Sequence, residues 1–338
     1  MKKLFYLLTI AIISTSLPVF ANNIEVQPTM QTRTIAQDRV WVGTFQIVWN
    51  DFMDKIVHNT IRFREGTPTI VQELNKQSFK ENQLSEKSYY TMAGKVKKNT
   101  KKQISKALKK KFNETSDLLD KLDLTARNDM LIVYAMLKKD FMFTQAFDKL
   151  GKSKFGEDQE AEYFGIAHWS DKALGSGVKV LFYNSPEDFA VKLSTKDNDE
   201  VFLYKNDSNK PFTYLYEDMN KKANSYDGFK TFSNIDELKV PNLKFSQEKS
   251  FDEITGKRIM GTNLVINQAM ETVKFNMNHK GVELKSEAAM TVMKMSVMED
   301  LKPRLFNFDD TFVLFLKEKD KNNPYFALRV NDITNYQK

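Results

Sequence analysis

Few side chains in this sequence are able to carry out a reaction. There is no Cys, and the 3 His are His58, His168 and His279. That excludes a thiolate zinc site, a cysteine nucleophile, a disulfide framework and an acylated cysteine anchor, and it leaves no histidine-rich metal centre. Gly175-Ser176-Gly177 lacks the spacing of a nucleophile elbow, and no Gly-rich phosphate loop leads into a helix. Asp309-Asp310 and Asp197-Asn198-Asp199-Glu200 are carboxylate runs that could hold Ca²⁺, although acidic pairs in turns read first as solvated surface. His168 beside Trp169, and His279 in a polar strand, have no partner near them in sequence. The expectation is a protein that is not an enzyme and uses neither metal nor other cofactor.

Charge is more informative. Lys95, Lys97, Lys98, Lys101, Lys102, Lys106, Lys109, Lys110 and Lys111 surround a thin apolar stripe of Met92, Val96, Ile104 and Leu108, which reads as one helix over residues 88–112. Such a face could take a polyanion: a glycosaminoglycan, a nucleic acid or anionic lipid. Interleaved aromatics for base stacking are missing from it, which disfavours nucleic acid. A solvated basic face is the alternative.

The elements that would position these groups follow from hydrophobic pattern. With 338 residues, 41% hydrophobic and 26 Phe, the chain can bury a large core and cannot be a solvated coil. Lys2 and Lys3 precede an uncharged apolar stretch at 4–17 and then Pro18-Val19-Phe20-Ala21, the pattern of a secretory signal peptide cut after Ala21, with a retained anchor as the other reading. The run is short for a membrane span. Residues 22–40 are polar and aperiodic and read as a flexible lead to a single domain over 41–338. Phe45, Val48, Trp49, Phe52 and Ile56 have helical spacing within 42–57, and Gly66-Thr67-Pro68 marks another helix start. Residues 130–137 form a near-continuous apolar run, as in a strand buried on both faces. Strands are expected at 178–182 and 189–193 across Asn184-Ser185-Pro186, at 201–204, 212–216 and 273–277, and at 312–316 and 325–330. Helices followed by many strands make the class α+β.

Several pieces, in this order, resemble the serpin family. Val96, Thr100 and Ile104 have the V-x-x-x-T-x-x-x-I spacing of the helix across the serpin main sheet. The run 131–147, with Lys139 and Phe147, is similar to N-A-I-Y-F-K-G-x-W-x-x-P-F with one residue added, and Lys244-Phe245, Glu248 and Phe251-Asp252 match K-F-x-x-E-x-x-Y-D. Residues 268–283 resemble Q-V-V-H-K-A-x-x-x-V-N-E-E-G-T-E, keeping Gln268, Asn278, Gly281 and Glu283. The runs 308–316 and 325–330 look like the closing hairpin. The resemblance spans about 88–331. It departs in a short N-terminal part, a short stretch at 251–268, Asp310-Thr311-Phe312 in place of H-P-F, and His279-Lys280 in place of the acidic pair before Gly281.

The resemblance implies inhibition of a serine or papain-like cysteine protease: the protease cuts an exposed loop, and the freed strand inserts into the main sheet and traps it. Insertion requires alternation. After Gly281, Val282, Leu284, Ser286, Ala288, Met290 and Val292 form a set that can be buried, and Glu283, Lys285, Glu287, Ala289, Thr291 and Met293 a set that can face water. The hinge is thus Gly281, Val282, Glu283, Leu284, Ser286 and Ala288. Leu284 and Lys285 stand where the family has small residues. The family's loop length puts the cut at Met295-Ser296, suiting elastase-, chymotrypsin- or subtilisin-like enzymes, with Lys294 and Met298 as alternatives. A Met-rich core element over 288–298 is the competing reading. The signal pattern and the lack of Cys point to a secreted or periplasmic chain, expected to be a monomer with no membrane span once the signal is removed; the rival to inhibition is a non-inhibitory protein of the same fold that engages a polyanion or protein partner.

Overall fold

Alternating Phe, Val and Leu residues build a core of sheets. The computed structural model describes residues 24–124, 130–282 and 303–337. The largest sheet has seven strands in the order Glu25–Gln27, Arg39–Val42, Phe326–Val330, Phe312–Glu318, Asp199–Lys205, Asp188–Ser194, Val178–Ser185. Its first pair is parallel and the others are antiparallel. Asp199–Lys205 and Phe326–Val330 are buried throughout, because both of their faces are covered. A second sheet runs Leu305–Asn307, Glu237–Pro241, Gln159–Ile166, Asp148–Phe155. Few helices and a large mixed sheet make the fold α+β.

Charged groups at the buried strand ends are paired. Lys139 Nζ lies 2.9 Å from Asp199 and 2.5 Å from Glu318. The Tyr325 hydroxyl donates to Asp199 at 2.8 Å. Burial pushes the Asp199 carboxyl up despite Lys139 beside it. Glu200 takes Lys192 and Lys317, and Asp309 takes Lys205. These carboxylates are therefore engaged by lysines, and among the described residues no group of three or more His, Asp or Glu is disposed to hold a metal.

Three sequence expectations need correction. Residues 88–112 are not one helix. Tyr89–Lys95 is a strand paired along its length with Leu131–Leu137, and the helix is Thr100–Phe112. The aromatic pair Tyr89-Tyr90 and the ladder it gains outweigh the helical spacing of Met92 and Val96. The helix begins where the Thr100 hydroxyl accepts the Lys97 N–H at 2.7 Å, and it buries Thr100, Ile104 and Leu108. Residues 212–216 belong to the helix Phe212–Ser225, which buries Phe212, Leu215 and Met219 at helical spacing after Pro211. The lead at 22–40 is not wholly loose, since Ile24 and Val26 are buried and Glu25–Gln27 pairs with Arg39–Val42. The helix expected at 42–57 is α-helical over Thr44–Asp51 and then π-helical over Phe52–Val57.

Candidate functional site

Two strand pairs stand apart from both sheets. Tyr89–Lys95 pairs with Leu131–Leu137, and Leu243–Ser250 with Met270–Met277. Among the described residues Leu131–Leu137 and Met270–Met277 each keep one bare edge, and both strands line a cavity of about 1540 Å³. Its floor is the helix Thr44–Asp51 with the turn after it, which supplies Phe45, Val48, Trp49 and Phe52 at i, i+3, i+4 and i+7.

Strand alternation determines which side chains meet that floor. Ile132 and Tyr134 pack with Val96, Ile104 and Leu108 beneath the lysine helix, while Ala135 and Leu137 pack toward the main core. Leu131, Val133, Ala135 and Leu137 therefore share the floor side. On the opposite wall Glu271, Val273, Phe275 and Met277 are buried, and Lys274 is exposed.

Just beyond Met277 the chain turns at one end of the gap. Asn278 and Gly281 exchange both backbone hydrogen bonds, at 3.0 and 3.1 Å, around His279-Lys280. Gly281 and Val282 pair with Met142 and Phe141, and Val282 lines the cavity. Gly281 has φ +140, and a Cβ there would lie 2.5 Å from the Phe141 carbonyl oxygen, so the position demands glycine. Burial, then Lys149 and Lys280, lower the basicity of His279. Of the hinge read from the sequence, Gly281 and Val282 are in this turn. Glu283, Leu284, Ser286 and Ala288, the bond Met295-Ser296 and the signal segment lie outside the described residues.

Glu271 was not among the candidate residues. It is 5% exposed and on the cavity wall, with the Phe45 amide as the donor nearest its carboxyl. Burial pushes its carboxyl up to about 8; the Phe45 amide in the first turn of the floor helix favours the charged form too weakly to offset this. Lys249 is directly across the pair from Glu271. An acidic residue on the apolar side of the alternation Glu271, Val273, Phe275, Met277 was the available signal.

All nine candidate lysines, Lys95 to Lys111, are exposed. Among the described residues only Lys101 pairs with a carboxylate, that of Asp120 at 2.5 Å. Lys111 lies over the Tyr89 and Phe112 rings. The lysine helix covers the outer side of the Leu131–Leu137 wall, away from the floor. No helix among the described residues is long and apolar enough to cross a membrane.

No family model and no curated protein matches the sequence. Solved structures do. Serpin48, described as a highly specific serpin of the insect Tenebrio molitor, is 14% identical with a TM-score of 0.45, over 74% of this chain and 78% of that one. Thyroxine-binding globulin in complex with thyroxine is 13% identical with a TM-score of 0.44, over 69% of this chain and 64% of its own length.

Proposed function

We propose that the chain is a secreted, monomeric, non-catalytic protein whose loop after Val282 is taken up as a new strand between Leu131–Leu137 and Met270–Met277, trapping a serine or cysteine protease that has cut it near Met295-Ser296. One observation supports this reading: among the described residues two strands with bare edges line the same cavity, and Val282 enters it from the turn at Gly281. If the strand were taken up in the register of Asn278 and Gly281, Leu284 would fall opposite Phe275, Ser286 opposite Val273 and Ala288 opposite Glu271. In the register of Gly281 and Met142, carried on without a bulge, Ser286 would fall opposite Leu137, Ala288 opposite Ala135 and Met290 opposite Val133. Either register would put Val282, Leu284, Ser286, Ala288 and Met290 on the floor side and Glu283, Lys285 and Glu287 outward. A one-residue slip would bury Glu283, Lys285 and Glu287 instead. Strands rise about 3.3 Å per residue, so the seven- and eight-residue edges match a strand of similar length.

The test mixes the chain without its first 21 residues with elastase-, chymotrypsin- and subtilisin-type proteases and with a papain-like one. Trapping gives a protease complex that survives denaturing gels, with cleavage near Met295. Simple cleavage, with no complex and no rise in melting temperature, would refute it.

A second reading has its own support: eight of the nine lysines have no carboxylate partner among the described residues. In that reading the helix Thr100–Phe112 binds a polyanion. It predicts salt-sensitive retention on heparin that Lys106→Glu with Lys110→Glu weakens; retention unchanged by the pair of substitutions would dismiss the helix as the site.

A further inference from the structure

We propose that Trp169, Phe229 and Leu305 form a docking surface for the protease that cuts the loop, a contact away from the cut bond that selects the partner. The assignment rests on the protease-trapping reading and names where that partner is held. The chain has three Trp. Trp41 and Trp49 are each 2% exposed, whereas Trp169 is 59% exposed. The turn that presents it is fixed by four hydrogen bonds. The Ser170 N–H donates to the Ala167 carbonyl at 3.0 Å, and the Ala167 N–H donates to the Ser170 hydroxyl at 2.9 Å. Lys172 donates to the His168 carbonyl at 3.0 Å, and the Asp171 carboxylate accepts the Ala173 N–H at 2.9 Å. An aromatic ring on a fixed turn loses little freedom on binding, and Trp and Arg dominate the energetics of protein interfaces.

Two more exposed apolar side chains stand at the same end of the second sheet. Leu305–Asn307 is an edge strand of that sheet, and Leu305, 39% exposed, pairs with Glu237. Leu238 pairs with Ile166, three residues before Trp169, and His168 Nδ1 lies 3.9 Å from Glu237. Arg304, beside Leu305, reaches the buried Asp236 at 2.6 Å and donates to the Phe229 carbonyl at 2.6 Å. Its guanidinium lies 5.8 Å from the Phe229 ring, which is 63% exposed. Apolar anchors with a polar rim have the composition of a protein-binding patch. The occupant follows from where the chain returns. The described residues resume at 303, next to Leu305, and the bond Met295-Ser296 lies nine residues before Leu305. Nine residues span at most about 32 Å. A protease of about 220 residues has a radius of gyration of about 17 Å, hence a diameter of about 45 Å, wider than that tether. A protease seated on the bond is therefore within reach of Trp169, Phe229 and Leu305.

The experiment follows cleavage of the full chain by whichever of the elastase-, chymotrypsin-, subtilisin- and papain-type proteases cuts its loop fastest. Trp169→Ala combined with Phe229→Ser should lower the second-order rate constant about tenfold, the worth of one aromatic anchor. The maximal rate at saturating protease should not change, because the lost contact is one of binding alone. Trp169→Phe should keep most of the wild-type rate constant. Tyr214→Ser, at an exposed aromatic on the helix Phe212–Ser225, should keep all of it. An unchanged melting temperature shows that each variant is folded. Equal rate constants for the wild type and the double variant would overturn the docking surface while leaving trapping standing. A dimer that the double variant loses at equal rate constants would give the surface to a second copy and overturn it likewise. Absence of cleavage within 283–302 by all four proteases would overturn the trapping reading, and this surface with it.

Discussion

Replacing Glu271 by Gln keeps the volume of the side chain and removes its proton chemistry, so the two chains should differ in how stability depends on pH. The ordinary carboxyl value of 4.5 is raised by burial to about 8. Below pH 4.5 the group is neutral in both folded and unfolded chains and costs nothing. Above it the unfolded chain releases its proton while the folded chain keeps it, and each pH unit removes about 1.4 kcal/mol from the wild type. The loss levels off once the folded group ionises near pH 8. Between pH 5 and pH 9 the wild type should therefore lose about 4 kcal/mol more than Glu271→Gln. Urea unfolding of both chains at pH 5, 7 and 9 measures this directly, since every other titrating group is shared and cancels in the difference. A gap between the two chains that stays constant within about 1 kcal/mol over this range would refute the burial argument, and would mean that Lys249 or solvent reaches the carboxyl.

Three further outcomes follow from the same geometry. Gly281→Ala should cost about 2–4 kcal/mol in urea unfolding, from positive-φ strain and the contact with the Phe141 carbonyl; a cost under about 0.5 kcal/mol would deny the turn its conformation. Lys139→Met leaves Asp199 and Glu318 buried without their cation and should cost about 3–5 kcal/mol, whereas Lys101→Met, at an exposed pair, should cost under about 1 kcal/mol; equal effects would show the buried cluster to be solvated. Leu284→Ala should raise the fraction of protease trapped over that released, because a smaller side chain passes Phe275 early in uptake. An unchanged fraction on denaturing gels would remove bulk at this position as the limit.

Much of the fold is legible in the sequence because burial leaves a period. Val178–Ser185 with Asp188–Ser194, Met270–Met277, and Phe312–Glu318 with Phe326–Val330 alternate or run apolar in the way their burial requires. Tyr89–Lys95 was hidden because it lies half-buried at every position before its last, so no face contrast marks it, and the lysines that follow carry the helical spacing back across it. Phe212–Ser225 was hidden by its start, where Phe212, Tyr214 and Tyr216 alternate like a strand; only Leu215 and Met219 farther on reveal the helix. The tight turn at Gly281 was legible from the glycine itself. The gap was not, because it depends on two strands far apart in sequence each leaving an edge bare, and that is a property of topology.

The two sides of the gap carry different chemistry, and under the proposed strand uptake the basic helix would act on one of them. On the floor side a strand taken up as proposed would meet apolar residues and one acid. On the outer side the same register would turn Glu283, Lys285 and Glu287 toward Asn276, Lys274 and Thr272. Lys285 would stand opposite Lys274, a like-charge pair that opposes uptake, eased by Asp117 at 2.8 Å from Lys274. Glu283 and Glu287 would lie on the side of the wall covered by the lysine helix, whose exposed lysines favour their approach. Screening shortens such attraction to about 8 Å at physiological salt and about 3 Å at 1 M. Uptake of a synthetic peptide carrying the loop sequence should therefore slow several-fold between 50 mM and 1 M salt in the wild type, and much less in the chain carrying Lys106→Glu and Lys110→Glu. If salt slows both chains equally, the basic helix has no part in uptake, and its lysines act only on partners outside the molecule.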